Sequence, residues 1–394
     1  MFVKRLTTEL IVMIVITAAL CGCMGSGYSS GTENSGDTAS HSTSDGAYSF
    51  SENDRSENVA DGVADEASDD EETDIEVGFS QLGAESDWRT ANTDSILAEF
   101  DETEGFTLIY ENGQQKQTKQ MTSIRRFIQQ SVDYIILAPV TETGWENVLS
   151  EARDADIPVI IVDRRVDVED ETLFTSWVGS DFYIEGRKAC EWLKCFFEAE
   201  GIDGSDVNIA HVQGTTDSTA QKGRSAALDS AVMKYGWNIV AREDADFTEA
   251  LGKEVVSRML EENDSINVIY CENDNEALGA LEAIDEAGLT AGTDIKNGEI
   301  LVISFDGVKR EAMEEVISGR IACIVECNPN QGARIRRIIE QIERGETPDK
   351  YSYMSEGLFS NVDSFSWIMV GGKTYQITTV SEDLLELDSR WAEE

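Results

Sequence analysis

Four short apolar runs in this 394-residue sequence end on side chains suited to holding a ligand by hydrogen bonds. Ile75 to Ser80 leads into Gln81-Leu82-Gly83-Ala84-Glu85-Ser86-Asp87-Trp88-Arg89. Pro158 to Val162 leads into Asp163-Arg164-Arg165, Val268 to Cys271 into Glu272-Asn273-Asp274, and Leu301 to Phe305 into Asp306-Gly307. Carboxylates accept from paired hydroxyls, guanidinium groups donate in a planar fork, and an amide does both. An indole covers the apolar face of a ring. That combination suits a small polyhydroxylated molecule. Each residue alone has a plainer role, because an Asp after a strand caps a helix and an Arg pairs with a nearby acid. Four coincident strand ends outweigh that reading.

Other chemistry finds less support. His41 and His211 are the only histidines, too few for a histidine-based triad or a multi-histidine metal site. There is no G-x-x-x-x-G-K-[ST] run and no G-x-S-x-G elbow. A glycosidase needs two acids facing one bond at a set separation, which a sequence does not display. Lys plus Arg total 31 against 77 Asp plus Glu, a formal charge of -46, so phosphate neutralisation on a nucleic acid is excluded as a role. The same charge opposes electrostatic docking on anionic lipid.

The elements that must position these residues form a rhythm. Apolar runs at Ile75 to Ser80, Phe106 to Tyr110, Tyr134 to Ala138 and Pro158 to Asp163 alternate with helix-like stretches at Ala91 to Glu104, Gln117 to Gln130 and Glu146 to Ala155. After a turn the pattern resumes with a helix at Ile184 to Glu198. It continues through Val207 to Gln213, Asn238 to Glu243, Ile266 to Cys271 and Ile300 to Ser304, with helices between them. Buried strands separated by helices argue a parallel α/β fold. About ten such strands exceed one compact sheet, so two lobes are expected. In open parallel sheets ligands sit beyond the carboxyl ends of the strands, where the residues above lie.

The first 74 residues have another character. Lys4 and Arg5 precede the 11-residue apolar run Leu10 to Leu20, too short to span a bilayer comfortably and typical of a signal peptide. Leu20-Cys21-Gly22-Cys23 resembles a bacterial lipobox, implying cleavage after Gly22 and lipidation of Cys23. Residues 23–74 are rich in Ser, Gly, Asn and acids, and residues 24–74 hold 14 acids against Arg55 alone. Such a stretch cannot bury enough surface to fold and reads as a tether. Beyond it, Cys190, Cys195, Cys271, Cys323 and Cys327 lack the spacing of a zinc site and read as buried free thiols.

From residue 75 to about 375 the chain resembles the solute-binding proteins of bacterial ABC sugar importers, in the ribose-binding, lactose-repressor-like class. It is most similar to the branch that binds galactofuranose or fructose. The stretches that carry the resemblance include VGFSQLGAESDWRTANT from Val77, ENGQQKQTKQ from Glu111 and DYIILAPVTETGWENVLSEARDADIPVIIVDR from Asp133. QGTTDS from Gln213, DFTEALGKEV from Asp246, ENDNEALGALEAIDEAGL from Glu272 and SFDG from Ser304 complete them.

The resemblance implies two doubly wound parallel-sheet lobes joined by a three-strand hinge. The first lobe is expected over 75–180 plus 328–360 and the second over 181–327 plus 361–394. Crossings are expected near Ser180-Asp181, near Asn328 and at 358–364. It further implies that Glu85, Ser86, Trp88, Arg89, Asp163, Arg164, Arg224, Phe247, Asn273, Asp306 and Glu326 contact a monosaccharide. Arg89 stands where ribose binders carry a second aromatic residue, which points to a different small sugar such as a furanose hexose. The implied protein is not an enzyme and takes no cofactor or metal. It is a monomer outside the cytoplasm, anchored through Cys23, that delivers sugar to a permease with a separate ATPase chain. The alternative is a sensor component that presents a sugar or signal molecule to a membrane receptor. A DNA-binding relative would need a basic helix pair at the N-terminus, where this chain has a signal and an acidic tether.

Overall fold

The apolar runs are rich in Val and Ile, whose branched side chains pack well on a pleated surface and can be buried on both faces at once. The computed structural model describes residues 74–100, 105–388 and 390–391, all in one compact unit that spans Asp69–Glu394. The signal segment, Cys23 and the tether up to residue 73 lie outside the described residues.

In chain order the elements of the first half are β1 (Ile75–Gln81), α1 (Asp87–Glu99), β2 (Phe106–Asn112), α2 (Gln117–Gln130), β3 (Tyr134–Leu137), α3 (Glu146–Asp154), β4 (Val159–Val162) and β5 (Ser176–Gly179). The chain then builds α4 (Phe182–Glu200), β6 (Asn208–Gln213), α5 (Thr219–Tyr235), β7 (Asn238–Asp244), α6 (Glu249–Glu262), β8 (Val268–Cys271), α7 (Asp274–Glu286), β9 (Leu301–Asp306), α8 (Arg310–Ser318) and β10 (Ile321–Glu326). The last elements are α9 (Gly332–Glu343), β11 (Tyr351–Tyr353), β12 (Leu358–Phe359), β13 (Trp367–Val370), β14 (Lys373–Thr378) and α10 (Glu382–Leu387).

Two sheets result. The first runs β11-β5-β4-β3-β1-β2 and is parallel throughout. The second runs β13-β14-β12-β10-β9-β8-β6-β7; it is parallel apart from the β10–β12 and β13–β14 pairings. Alternation along each strand sends side chains to opposite helix layers. In β3, Ile135 and Leu137 pack with Phe127 of α2 and Leu149 of α3, while Ile136 packs with Ile96 of α1 and Ile335 of α9. In the second sheet, Ile269 faces the α6–α8 layer and Tyr270 the α4–α5 layer.

The chain passes between sheets three times: after β5, after β10 and between β11 and β12. The third passage lies at 354–357, ahead of the expected 358–364, because Leu358 and Phe359 already pair with Val325 and Ile324 of the second sheet. After the second passage α9 returns against α1, and the approach is so close that a Cβ on Gly332 would lie 2.0 Å from the Ser95 carbonyl oxygen. Among the described residues no helix is long and apolar enough to cross a membrane.

Helix α1 begins at Asp87, four residues before the expected start at Ala91. The cause is local: the Ser86 hydroxyl accepts from the Arg89 amide at 3.2 Å and caps the first turn. Trp88 and Arg89 therefore project from a rigid helix rather than a loop. Because Ile136 is fully buried in a central strand, Ile136→Ala should lower the unfolding free energy by about 2–5 kcal/mol in urea titrations. A loss below about 1 kcal/mol would show that the layer repacks around the gap.

Candidate functional site

The carboxyl ends of β1, β4, β8 and β9 converge on a cavity between the two sheets. Ten of the eleven residues expected there line it: Glu85, Ser86, Trp88, Arg89, Asp163, Arg164, Arg224, Phe247, Asn273 and Asp306. Glu326 does not. Its carboxylate turns away to accept from Arg390 at 2.6 Å and from the Gly357 amide at 2.7 Å, tying the third passage to the C-terminal segment. Phe182, Ala220 and Cys327 also line the cavity and were not expected. Phe182 follows the first passage and Cys327 follows β10, so only knowledge of where the chain crosses could have marked them.

The first-sheet wall is a buried ionic network. Arg89 donates from Nη2 to Asp163 at 2.5 Å and from Nε to Glu85 at 3.2 Å. Arg164 donates from Nη2 to the same Glu85 oxygen at 3.2 Å and from Nη1 to the Val140 carbonyl at 3.0 Å. Burial alone would raise the Glu85 carboxyl, but Arg89 and Arg164 together hold it below its ordinary value. Burial likewise works against charge on Arg89, and Asp163 and Glu85 more than reverse it. Burial lowers the Arg164 guanidinium, with Glu85 opposing. Three polar atoms of this network, Glu85 Oε2, Arg89 Nη1 and Arg164 Nε, are buried without a hydrogen-bond partner among the described residues. Such atoms are costly unless something else completes them.

The second-sheet wall is held from behind. Arg224 pairs with Glu185 at 2.8 Å and Asp306 at 3.2 Å, and also donates to the Glu272 carbonyl. Burial opposes its charge, and the two acids raise its pKa well above the usual arginine range. Burial also raises the Asp306 carboxyl, although Arg224 pulls it down. Asn273 caps α7 by accepting from the Glu276 amide at 2.8 Å and donates to the Phe247 carbonyl at 3.0 Å. The plainer role of a strand-end residue is therefore real for both Ser86 and Asn273, which cap helices and line the cavity at once.

Trp88, Phe182, Ala220, Phe247 and Cys327 form a separate apolar cluster that covers the remaining surface. Gly214 lets the Phe247 ring into place, since a Cβ there would lie 2.0 Å from it. Asp163, Phe247 and Asp306 all have left-handed backbone, with φ of 60°, 62° and 94°. Non-glycine residues rarely adopt that region, and strain of this kind collects where side chains must be aimed.

The walls meet directly. Trp88 Nε1 donates to the Cys327 carbonyl at 2.7 Å, Asn275 donates to Asp87 at 2.7 Å, and the Arg165 amide donates to Thr219 at 3.2 Å. Lys222 pairs with Glu142 near the rim. This is a closed form. Cys190, Cys195, Cys271, Cys323 and Cys327 are free thiols, all buried except the half-buried Cys195. Among the described residues one group of possible cation donors lies together, Glu185, Cys327 and Glu356, behind the cavity. Arg224 already occupies Glu185, which counts against a cation there. Asp163→Ala would strip Arg89 of a buried partner and should cost about 3–5 kcal/mol while unfolding stays cooperative. A melting curve unchanged from wild type would show that the pair does not hold this wall.

The periplasmic binding protein domain model matches residues 77–347. The galactofuranose-binding protein YtfQ of Escherichia coli is 36% identical over 290 residues, covering 72% of this chain and 87% of its own. The periplasmic binding protein of the arabinose ABC transporter from Shewanella, solved with α- and β-L-arabinofuranose, is 38% identical with a TM-score of 0.66, covering 72% of this chain and 91% of its own. A Mycobacterium smegmatis structure in complex with β-D-fucofuranose is 35% identical with a TM-score of 0.68, covering 74% and 92%. With two α/β sheets, three passages and a cleft at the strand ends, this chain belongs to the periplasmic binding protein domain family.

Proposed function

We propose that this protein captures a small furanose-forming monosaccharide between its lobes and delivers it, outside the cytoplasm, to the permease of an ABC importer. The observation that carries the reading is the trio of unpartnered atoms on Glu85, Arg89 and Arg164. One acceptor and two donors on a rigid wall complement adjacent hydroxyls, which both donate and accept. The aromatic cluster beside them complements the apolar edge of a sugar ring. The names of the similar proteins, which bind galactofuranose, arabinofuranose and fucofuranose, support the same class.

Closure is the working step. Ligand bridges the two walls, and the bonds between Asp87 and Asn275 and between Arg165 and Thr219 complete the closed surface. A permease reads that surface, and its ATPase is another chain. The reading includes a lipid anchor at Cys23 and a monomeric state. No bond-making chemistry is assigned.

Calorimetry with fructose, galactose, arabinose, ribose and xylose should give saturable one-to-one binding for at least one of them; silence across the panel would sink the proposal. Arg224→Ala should abolish that binding, because Asp306 and the Phe182 face of the cavity lose the group they pack on. Unchanged affinity would remove Arg224 from the site. Cys23→Ser should move the protein from the membrane fraction to the soluble fraction, and retention on the membrane would overturn the lipid anchor.

A further inference from the structure

The three passages between the sheets meet at one carboxyl group. Glu356 belongs to the third passage, and its Oε1 accepts from the Ser180 hydroxyl of the first and from the Asn328 amide of the second, the latter at 3.0 Å. Lys188 of α4 donates to the Glu356 carbonyl at 3.0 Å. A rotation about the hinge changes the backbone of all three passages, so this carboxyl is placed where opening and closing are felt together.

Its surroundings disfavour a negative charge. Donor atoms of Glu356, Glu185 and Cys327 lie within 4.8 Å of one another. Glu185 is fully buried, and its Oε1 has no hydrogen-bond partner among the described residues. Cys327 lies 3.4 Å from the Ser180 hydroxyl, and burial with the two acids pushes its thiol well up. Glu326 is turned toward Arg390 and the Gly357 amide. From the outer side Asp181, Lys188, Lys373, Tyr353 and Tyr375 share a groove with Glu356. The hydrogen bond from Ser180, the charge of Lys188 and the Asn328 amide all lower its carboxyl, but burial followed by Glu185 outweighs them, raising the Glu356 value to about 8. A cation at this point would compete with Arg224 for Glu185 and with Ser180 and Asn328 for Glu356. A proton satisfies the same acids without displacing any of them.

We propose that Glu356 is a proton-dependent clasp of the hinge, holding the closed, loaded form together while its carboxyl is protonated and loosening it on ionisation. The inference rests on the sugar-binding reading. A protonated carboxyl can donate toward the unpartnered Glu185 oxygen and keep accepting from Ser180 and Asn328 on its other oxygen. Ionisation sets the Glu356 charge within 4.8 Å of the Glu185 carboxyl, between the passages. Opening the cleft admits water to the hinge and relieves that repulsion, so the proton is held more tightly in the closed form than in the open one. Closing then takes up a proton. Affinity is constant at low pH, where both forms carry the proton, and declines as pH rises toward 8, by at most about tenfold per pH unit.

The test is calorimetric titration of D-galactose, or of whichever sugar of the panel binds, between pH 5.5 and 9. In the wild type the Kd should rise severalfold or more over that range, whereas Glu356→Gln, which mimics the protonated acid, should give a flat profile with tight binding retained. The same slope in both proteins would overturn the clasp. Should the variant fail to fold, wild-type titrations at pH 7.5 in phosphate and in Tris report the protons taken up per sugar bound; net uptake supports the clasp, and none refutes it. If no sugar binds at any pH, it is the sugar reading that has failed. The clasp is then judged by the melting temperature of the free protein, which should fall between pH 6 and 9 in the wild type and stay level in Glu356→Gln.

Discussion

Arg89 and Arg164 are two guanidinium groups taken almost wholly out of water and set on the same wall, and most of the site follows from that constraint. Removing an ion from water costs several kcal/mol, and the loss is recovered only by well-placed partners. Glu85 and Asp163 are those partners, and Glu85 serves both cations through one oxygen. The acids cannot move without exposing a buried charge, so the remaining donor and acceptor atoms are fixed before any ligand arrives. Preorganisation of this kind limits what binding must spend on ordering side chains.

The scaffold is arranged to keep those directions. Asp163 leaves β4 in a left-handed conformation, and its carbonyl accepts from the Trp177 indole of the neighbouring strand at 3.1 Å. Arg165, next along, lies 4.4 Å above the Trp177 ring and donates to Tyr353 of β11 at 2.7 Å. The loop carrying two site residues is therefore pinned to the strand that enters the third passage. On the opposite wall Arg224 does comparable duty, since it bonds Glu185 and the Glu272 carbonyl as well as Asp306, which lines the cavity.

Much of this was legible from residue order, because a parallel strand ending in polar residues faces the same rim as its neighbours. The four strand-end clusters are where the periodicity placed them, and Arg224 and Phe247 joined them through motif position. The failures have physical causes. Glu326 ends β10 as Asp306 ends β9, yet Arg390, far along the chain, draws its carboxylate away. Phe182 and Cys327 lie just past passages whose location depends on which sheet accepts the next strand. Leu358 and Phe359 form so short a strand that nothing local assigns them to the second sheet. Helix α1 started early because a cap overrides a hydrophobic count. Apart from that local cap, a contact between distant segments decided each outcome.

The indole of Trp88 stands at the seam, with its ring in the cavity's apolar cluster and its N–H on the Cys327 carbonyl of the other wall. Separation of the walls breaks that bond and wets the ring. The protein consequently carries a built-in optical reporter at the cleft, whose emission shifts with polarity as the molecule opens and shuts. Its state can be followed in millisecond mixing without attaching a dye, against the steadier background of the fully buried Trp145, Trp177 and Trp192.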